Sequence, residues 1–295
     1  MTTRDWFFSR GALARGPWET VVDASLPGWA HTGLRVAEVG DGVDLEAAPV
    51  ERMVVPLSGA LDVAADEGTW HLAGRASVFD GPTDVLYLGA GTAARVVGDG
   101  RVAIAEAPAT LRLPAALLRA DEVPVEIRGA GRSTRQVHNF GVPGALRAQK
   151  LIVCEVVTPA ENWSSYPPHK HDAASEDESR LEEIYYFETG VTRGGAAPPQ
   201  ADPFGLFAAY ASDAREIAVD AVVRTGDVAL VPYGYHGPAV AAPGYDLYYL
   251  NVMAGPDPER AWRITDDPAH GWIRGGWADQ RPDPRLPYLQ EEHRP

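Results

Sequence analysis

The chain has 295 residues, 45% of them apolar and 23% charged, with 25 prolines and 30 glycines, which allows one large domain or two of about 150 residues, each able to bury a core. A formal net charge of -15, with Lys and Arg together numbering 26, excludes a nucleic-acid partner, because phosphate backbones are held by clustered cations. The single cysteine, Cys154, excludes an internal disulfide and fits a reducing compartment. Met1–Trp6 carries no basic-then-apolar leader and no apolar run approaches about 18 residues, so a cytoplasmic protein without a membrane partner is expected.

Between Trp18 and Val55 short apolar groups are broken by Pro27-Gly28, Gly40-Asp41-Gly42 and Pro49, and none sustains helical spacing. Arg52–Gly59 reads as a strand into a turn, followed by Ala60–Val63, Thr69–Leu72, Ser77–Pro82 and Asp84–Leu88. Strands this short, punctuated by Gly, Pro and Asp about every ten residues, indicate a sandwich or barrel. Val102–Pro108 is a further strand, Pro114–Arg119 a helical turn or a crossing between lobes, and Glu122–Ile127 an extended piece. Gly129–Arg135 reads as a loop carrying two cations, and a lobe boundary falls near residues 120–130, giving lobes 1–125 and 126–295. The rhythm repeats with strands at Leu151–Val157, Leu181–Phe187, Phe204–Tyr210, Arg215–Val223, Asp227–Val231 and Tyr245–Met253, and with an exposed acidic loop at Asp172–Arg180. From Pro256 the proline- and tryptophan-rich tail forms no regular sheet and wraps the barrel or packs on a partner subunit, which makes a homo-oligomer the expectation.

The chemistry concentrates between Tyr166 and His236. In Pro167-Pro168-His169-Lys170-His171 the two histidines of an extended segment share one side and Lys170 takes the other. The same alternation lets only one of Glu182 and Glu183 face inward, and His236 follows a strand that ends in Pro232-Tyr233-Gly234-Tyr235. Three imidazoles and one carboxylate suit a divalent transition metal with positions left open for substrate, and zinc, manganese, iron and nickel all accept that set. Cys154, in an apolar run, is a small buried hydrophobe in this reading.

These segments resemble the cupins. Gly226, five residues, Pro232, then Gly234 and His236 is similar to the second cupin motif, and residues 169–190 to the first, with Glu183 seven positions before Gly190 as the carboxylate and Glu182 left as a solvated charge. The gap from His171 to Glu183 is longer than usual, the turn before His236 is one residue shorter, and no asparagine stands four positions after it. Arg135–Asn139, Asn162–Asp172, Leu181–Tyr186, Pro232–His236 and Tyr248–Gly255, with Phe79–Asp84 and Asp267–Trp272, make nearly the whole chain resemble the 5-deoxy-glucuronate isomerases of myo-inositol catabolism, two-barrel relatives of the pectin-pathway uronate isomerases.

That resemblance implies an all-β bicupin of two jelly-roll lobes, with His169, His171, Glu183 and His236 as metal ligands in the second. It implies conversion of 5-deoxy-D-glucuronate, a small sugar acid, into 5-dehydro-2-deoxy-D-gluconate, an aldose-to-ketose shift needing a proton carrier near both carbons. Tyr185, Tyr233 and Tyr248 are the candidates, with Tyr235 near them. A cation for the substrate carboxylate comes from Arg135 first, then Arg132, Lys150 or Arg180. His138 contacts a substrate hydroxyl or a loop carbonyl. The first lobe has His31 and His71 but no His-x-His pair, so it binds no metal in this reading, and His270 and His293 are surface or packing residues. The same metal shell serves oxygen-activating dioxygenases, and a non-catalytic sugar-binding cupin is the alternative outside enzymology.

Overall fold

Short alternating segments separated by glycine and proline turns pair into three antiparallel sheets in the computed structural model, which describes residues 6–289. His293 and the segment Met1–Asp5 lie outside the described residues. Strands between Thr20 and Leu118 make a nine-stranded system around Val50–Ala65. A seven-stranded sheet follows, in the order Phe7–Phe8, Val228–Val231, Glu182–Val191, Tyr245–Ala254, Ile152–Thr158, Arg135–Gly141 and Val125–Arg128. A six-stranded sheet of Ala218–Val223, Gly205–Tyr210, Tyr235–Ala241, His169–Lys170 and Thr265–Asp266, with Trp163–Ser164 on its side, faces it. The change of sheet falls between Leu118 and Val125, while Phe7–Phe8 crosses it by pairing with Val228–Ala229.

Several elements differ from the reading of the chain. The turn expected after Gly59 is absent, because Val50–Ala65 runs through as one strand of 16 residues. Two register shifts bend it there, and Gly59 at φ 72 lies so close to the Asp99 carbonyl that a Cβ would sit 2.3 Å from it. Pro114–Arg119 is not helical, since Ala116–Leu118 pairs as an edge strand with Val85–Leu88. Arg135–Gly141 and Tyr235–Ala241 are strands that hydrophobic alternation did not announce, because Gln136, His138 and His236 occupy buried positions with polar partners.

The seven-stranded sheet is covered on both faces, and this decides the fate of its polar residues. Glu183, Tyr185 and Phe187 point into the second lobe's barrel, while Tyr186 and Glu188 point toward the first lobe, where Arg101 donates to both at 2.6 Å. Glu182, on that same face, is buried rather than solvated. Its carboxylate accepts from the backbone N–H groups of Ala30, His31 and Thr32 at 2.6 to 3.3 Å. In the opposite direction, Glu51 of the first lobe accepts from the N–H groups of Gln149, Lys150 and Leu151 and from the Tyr87 hydroxyl. Backbone donors buried at a lobe contact need such acceptors.

Candidate metal centre and substrate cavity

His169 and His236 are paired in register across adjacent strands, and His171 closes the same end of the barrel. Gly237, directly after His236, has φ 98 and approaches the Ser165 carbonyl so closely that a Cβ would lie 1.8 Å from its oxygen. Only glycine lets the His236 strand lie there. Each imidazole donates its Nδ1 proton to a backbone carbonyl, His169 to Pro167 at 3.3 Å, His171 to Leu181 at 3.0 Å and His236 to Gly234 at 3.3 Å. Those bonds fix the tautomers and turn every Nε2 lone pair inward.

His171 Nε2 and His236 Nε2 stand 2.9 and 3.0 Å from one oxygen of Glu183. His236 Nε2 is buried and makes no hydrogen bond despite that proximity, so the approach is close without being aligned. Lone pairs of two imidazoles and a carboxylate facing one another repel unless a proton or a metal cation lies among them, and ligand atoms of His171, Glu183 and His236 all fall within 4.8 Å of one another. A divalent metal fits this donor set. Burial alone would raise the Glu183 pKa, but His171 and His236 together hold it well below the usual carboxylate range. Burial alone would lower His171, and its contact with Glu183 raises it instead. His169 lies outside that tight group of three. Its ring centroid is 4.5 Å from that of His236 and 6.4 Å from that of His171, beside the centre.

From this centre a cavity of about 430 Å³ extends over the inner face of the seven-stranded sheet, lined by His169, Glu183 and Tyr185 at one end. The Tyr185 hydroxyl bonds Ser165 Oγ at 2.9 Å, and burial, reinforced by the Glu183 charge, keeps its pKa far above the usual value, so the phenol stays protonated. Arg128, Arg135 and Arg274 also line the cavity, a local concentration of cations in a chain of charge -15. Arg128 is paired with Glu126 and Arg274 with Asp266. Arg135 has no ion pair among the described residues. It donates to the carbonyls of Ser133 and Tyr166 and lies over the Trp277 ring, and burial, with repulsion from Arg128 and Arg274, lowers its pKa to about 10. A buried guanidinium in that condition gains from an anionic partner.

The remaining expected residues are not brought to this cavity. Tyr248 is one position out of phase with Tyr249, so it faces the first lobe, where its hydroxyl donates to Glu155 at 2.7 Å. His138 is buried on that same side, bonded to Glu155 at 2.6 Å and to Gln136, and contacts neither substrate space nor a loop carbonyl. Lys150 donates to the Asp257 carbonyl and Arg180 pairs with the Asp257 carboxylate, both outside the cavity. Arg132 pairs with Glu161. Tyr233 lies beneath Arg215, lining a separate cleft with His31 and Arg180. The Asp172–Arg180 loop is not wholly exposed, since buried Glu178 anchors it to Lys170 and to the N–H groups of Asp172 and Ala173.

Of the lining, only Arg135, His169, Glu183 and Tyr185 stood out in the sequence; Arg128 and Arg274 did not, nor did Asn251, Trp262, Ile264 and Asp266. Asn251 shares the row of Tyr185, and its side-chain nitrogen is buried without a hydrogen bond. The Trp262 indole N–H is likewise unpartnered, while Asp266 and Ile264 reach the cavity because Thr265–Asp266 pairs with His169–Lys170. Asn251 stood in a recognised segment at a strand position of cavity-facing parity. No pattern places a two-residue strand in a proline-rich tail.

Residues 7–273 match the KduI/IolB family model. The chain belongs to the KduI/IolB family. It is 41% identical to the 5-deoxy-glucuronate isomerase of Geobacillus kaustophilus (strain HTA426) over 253 residues, covering 83% of this chain and 87% of the relative. It is 38% identical to the Bacillus subtilis (strain 168) enzyme of the same name over 239 residues, 79% and 83% of the two chains. Among solved structures, an IolB-like protein from Salmonella typhimurium LT2 superposes with a TM-score of 0.80 at 35% identity, covering 91% of this chain and 98% of that one. The oxalate decarboxylase of Lactobacillus farciminis, at TM-score 0.61, 11% identity and coverage of 90% and 89%, shares the two-barrel cupin fold. Family membership and fold thus agree with the all-β bicupin expected from the motifs. Among the described residues no helix is long and apolar enough to cross a membrane.

Proposed function

We propose that the chain is a metal-dependent aldose-ketose isomerase that converts 5-deoxy-D-glucuronate into 5-dehydro-2-deoxy-D-gluconate in myo-inositol catabolism, in the cytoplasm. The observation that carries the site assignment is a single cavity with a transition-metal donor set at one end and an unneutralised buried guanidinium, Arg135, in its wall. His171, Glu183 and His236 would hold one divalent metal, with His169 beside them as the fourth ligand. When bound, the metal supplies Lewis-acid stabilisation of the negative charge that develops on the two neighbouring oxygens of an aldose.

Every other task falls to side chains that line the cavity. Arg135 takes the substrate carboxylate through its planar fork, which turns the opposite end of the sugar toward the histidines. Asn251 Nδ2 and Trp262 Nε1, both donors without partners, hold the hydroxyls between. Two carboxylates line the cavity, and Glu183 belongs to the donor group, which leaves Asp266 to carry the proton between adjacent carbons. Protonated Tyr185 donates to oxygen and does not act as a base. The first lobe, without such a donor group among the described residues, backs the seven-stranded sheet. A homo-oligomer is part of this reading, supported by exposed Trp163, Leu206 and Val222 in one row across neighbouring strands.

Metal analysis of the purified protein, with NMR observation of 5-deoxy-D-glucuronate, tests the proposal. Stoichiometric metal, and product formation that stops on chelation and returns on metal addition, is expected. Turnover unaffected by complete metal removal refutes it.

A further inference from the structure

Part of the cavity wall is aliphatic. Val137, Val156 and Ile264 line it. Val137 and Val156 are direct cross-strand partners, and Val137 stands two positions from Arg135 on the same strand, so the two side chains share a side roughly 7 Å apart. Of the hydroxyl side chains in the lining, Tyr249, opposite Val156, and Tyr185 are both already engaged with Ser165.

We infer that this apolar wall is what recognises the missing hydroxyl of the substrate. The inference rests on the proposed orientation, with the carboxylate on Arg135. The carboxylate is C6 of the sugar acid, and the next carbon, C5, is then the one laid against Val137, Val156 and Ile264. In 5-deoxy-D-glucuronate C5 is a methylene, which buries well against branched aliphatic side chains. In D-glucuronate C5 carries a hydroxyl, which would lose its water there and gain no partner. The specificity of the site for the deoxy sugar is thereby placed on residues that contact neither metal nor reacting carbons. A purely apolar pocket rejects an added hydroxyl by about a hundredfold at most, so the discrimination is finite and can be moved.

The experiment compares kcat/KM for 5-deoxy-D-glucuronate and D-glucuronate in the wild type, Val156→Thr and Ile264→Thr, with the inhibition constant of D-glucuronate against turnover of the deoxy sugar as an independent measure. The C5 hydroxyl also lets D-glucuronate close a six-membered hemiacetal. The open-chain fraction is the same for every variant and cancels in the change of ratio. The ratio is expected to narrow by about tenfold in Val156→Thr, with a matching fall in the D-glucuronate inhibition constant, whatever happens to the absolute rates. Ile264→Thr lies in the half-buried tail and reports even where the strand variant does not fold. An unchanged ratio and inhibition constant in a folded, metal-loaded variant overturns the inference. Arg135→Met separates this failure from that of the orientation. It is expected to weaken both sugars alike, and if both bind to it as to the wild type, the orientation fails and the inference with it.

Discussion

Replacing Arg75 by methionine would leave the Glu155 carboxylate inside the lobe contact without its cation. In the wild type Arg75 of the first lobe grips Glu155 of the second through two 2.7 Å hydrogen bonds, and both side chains are fully buried. His138 and Tyr248 complete the shell at 2.6 and 2.7 Å. Removing one member of such a pair costs about 4 kcal/mol, or roughly 10 °C in Tm for a protein this size. The pH dependence carries a sign that can be checked. Burial would raise the Glu155 carboxyl, but Arg75 and His138 lower it from 4.5 to about 2, which amounts to about 3 kcal/mol of stability. Because the folded pKa is the lower one, that stability is complete above the unfolded value and is lost as pH falls toward 2. In Arg75→Met burial prevails and the pKa rises, so the variant is penalised above the unfolded value and relieved below it. Urea unfolding followed by tryptophan fluorescence should therefore show a wild-type-minus-variant gap that shrinks between pH 7 and pH 4, and Glu155→Gln in the Arg75→Met background should recover part of it. A gap below about 1 kcal/mol at pH 7, or one independent of pH, refutes the reasoning.

His171→Ala and His236→Ala should each reduce bound metal by at least tenfold without altering the circular dichroism spectrum, and full metal occupancy in either would remove the proposed centre. For Arg135→Met a rise in KM of about a hundredfold with kcat changed far less is expected from loss of a charge-assisted fork, and an unchanged KM would move the carboxylate elsewhere. Asp266→Asn should lower kcat by about a hundredfold while metal content stays intact, and a near-normal kcat excludes it as the proton carrier. Glu182→Ala, which strips acceptors from the Ala30–Thr32 backbone, should lose about 2 kcal/mol in urea with kcat and KM retained. A loss of metal there instead would mean that Glu182, not Glu183, faces the centre.

How far the sequence could be read is settled by what alternation does and does not encode. It allowed only one of Glu182 and Glu183 to face the barrel, the cupin resemblance named Glu183, and alternation then put Tyr185 on the same side, because a strand turns successive side chains to opposite faces. It carried no information about what covers the second face. Here that cover is the first lobe, and so Glu182, His138 and Tyr248, each polar and each beside recognised motif residues, are interior groups with structural partners. Tyr248 and Tyr249 differ by one position, and only cross-strand register, Tyr249 opposite Phe187 and Val156, tells which of them sees the cavity.

The tail marks the other boundary of legibility. Its prolines argue against regular sheet, yet two residues, Thr265–Asp266, join the six-stranded sheet by pairing with His169–Lys170, and Trp262, Ile264, Asp266 and Arg274 line the cavity. Such pairing depends on a chain path fixed by distant contacts, and no local pattern encodes it. The consequence for the seven-stranded sheet is a division of labour by parity. Residues such as Val137, Tyr185 and Tyr249 face the cavity and answer to chemistry, while residues one position away, His138, Tyr186 and Tyr248, answer to the contact with the first lobe. A one-residue slip in register would exchange the two sets at once. The buried hydrogen-bonded charges between the lobes hold the outward-facing set in place, although none of them touches the donor group.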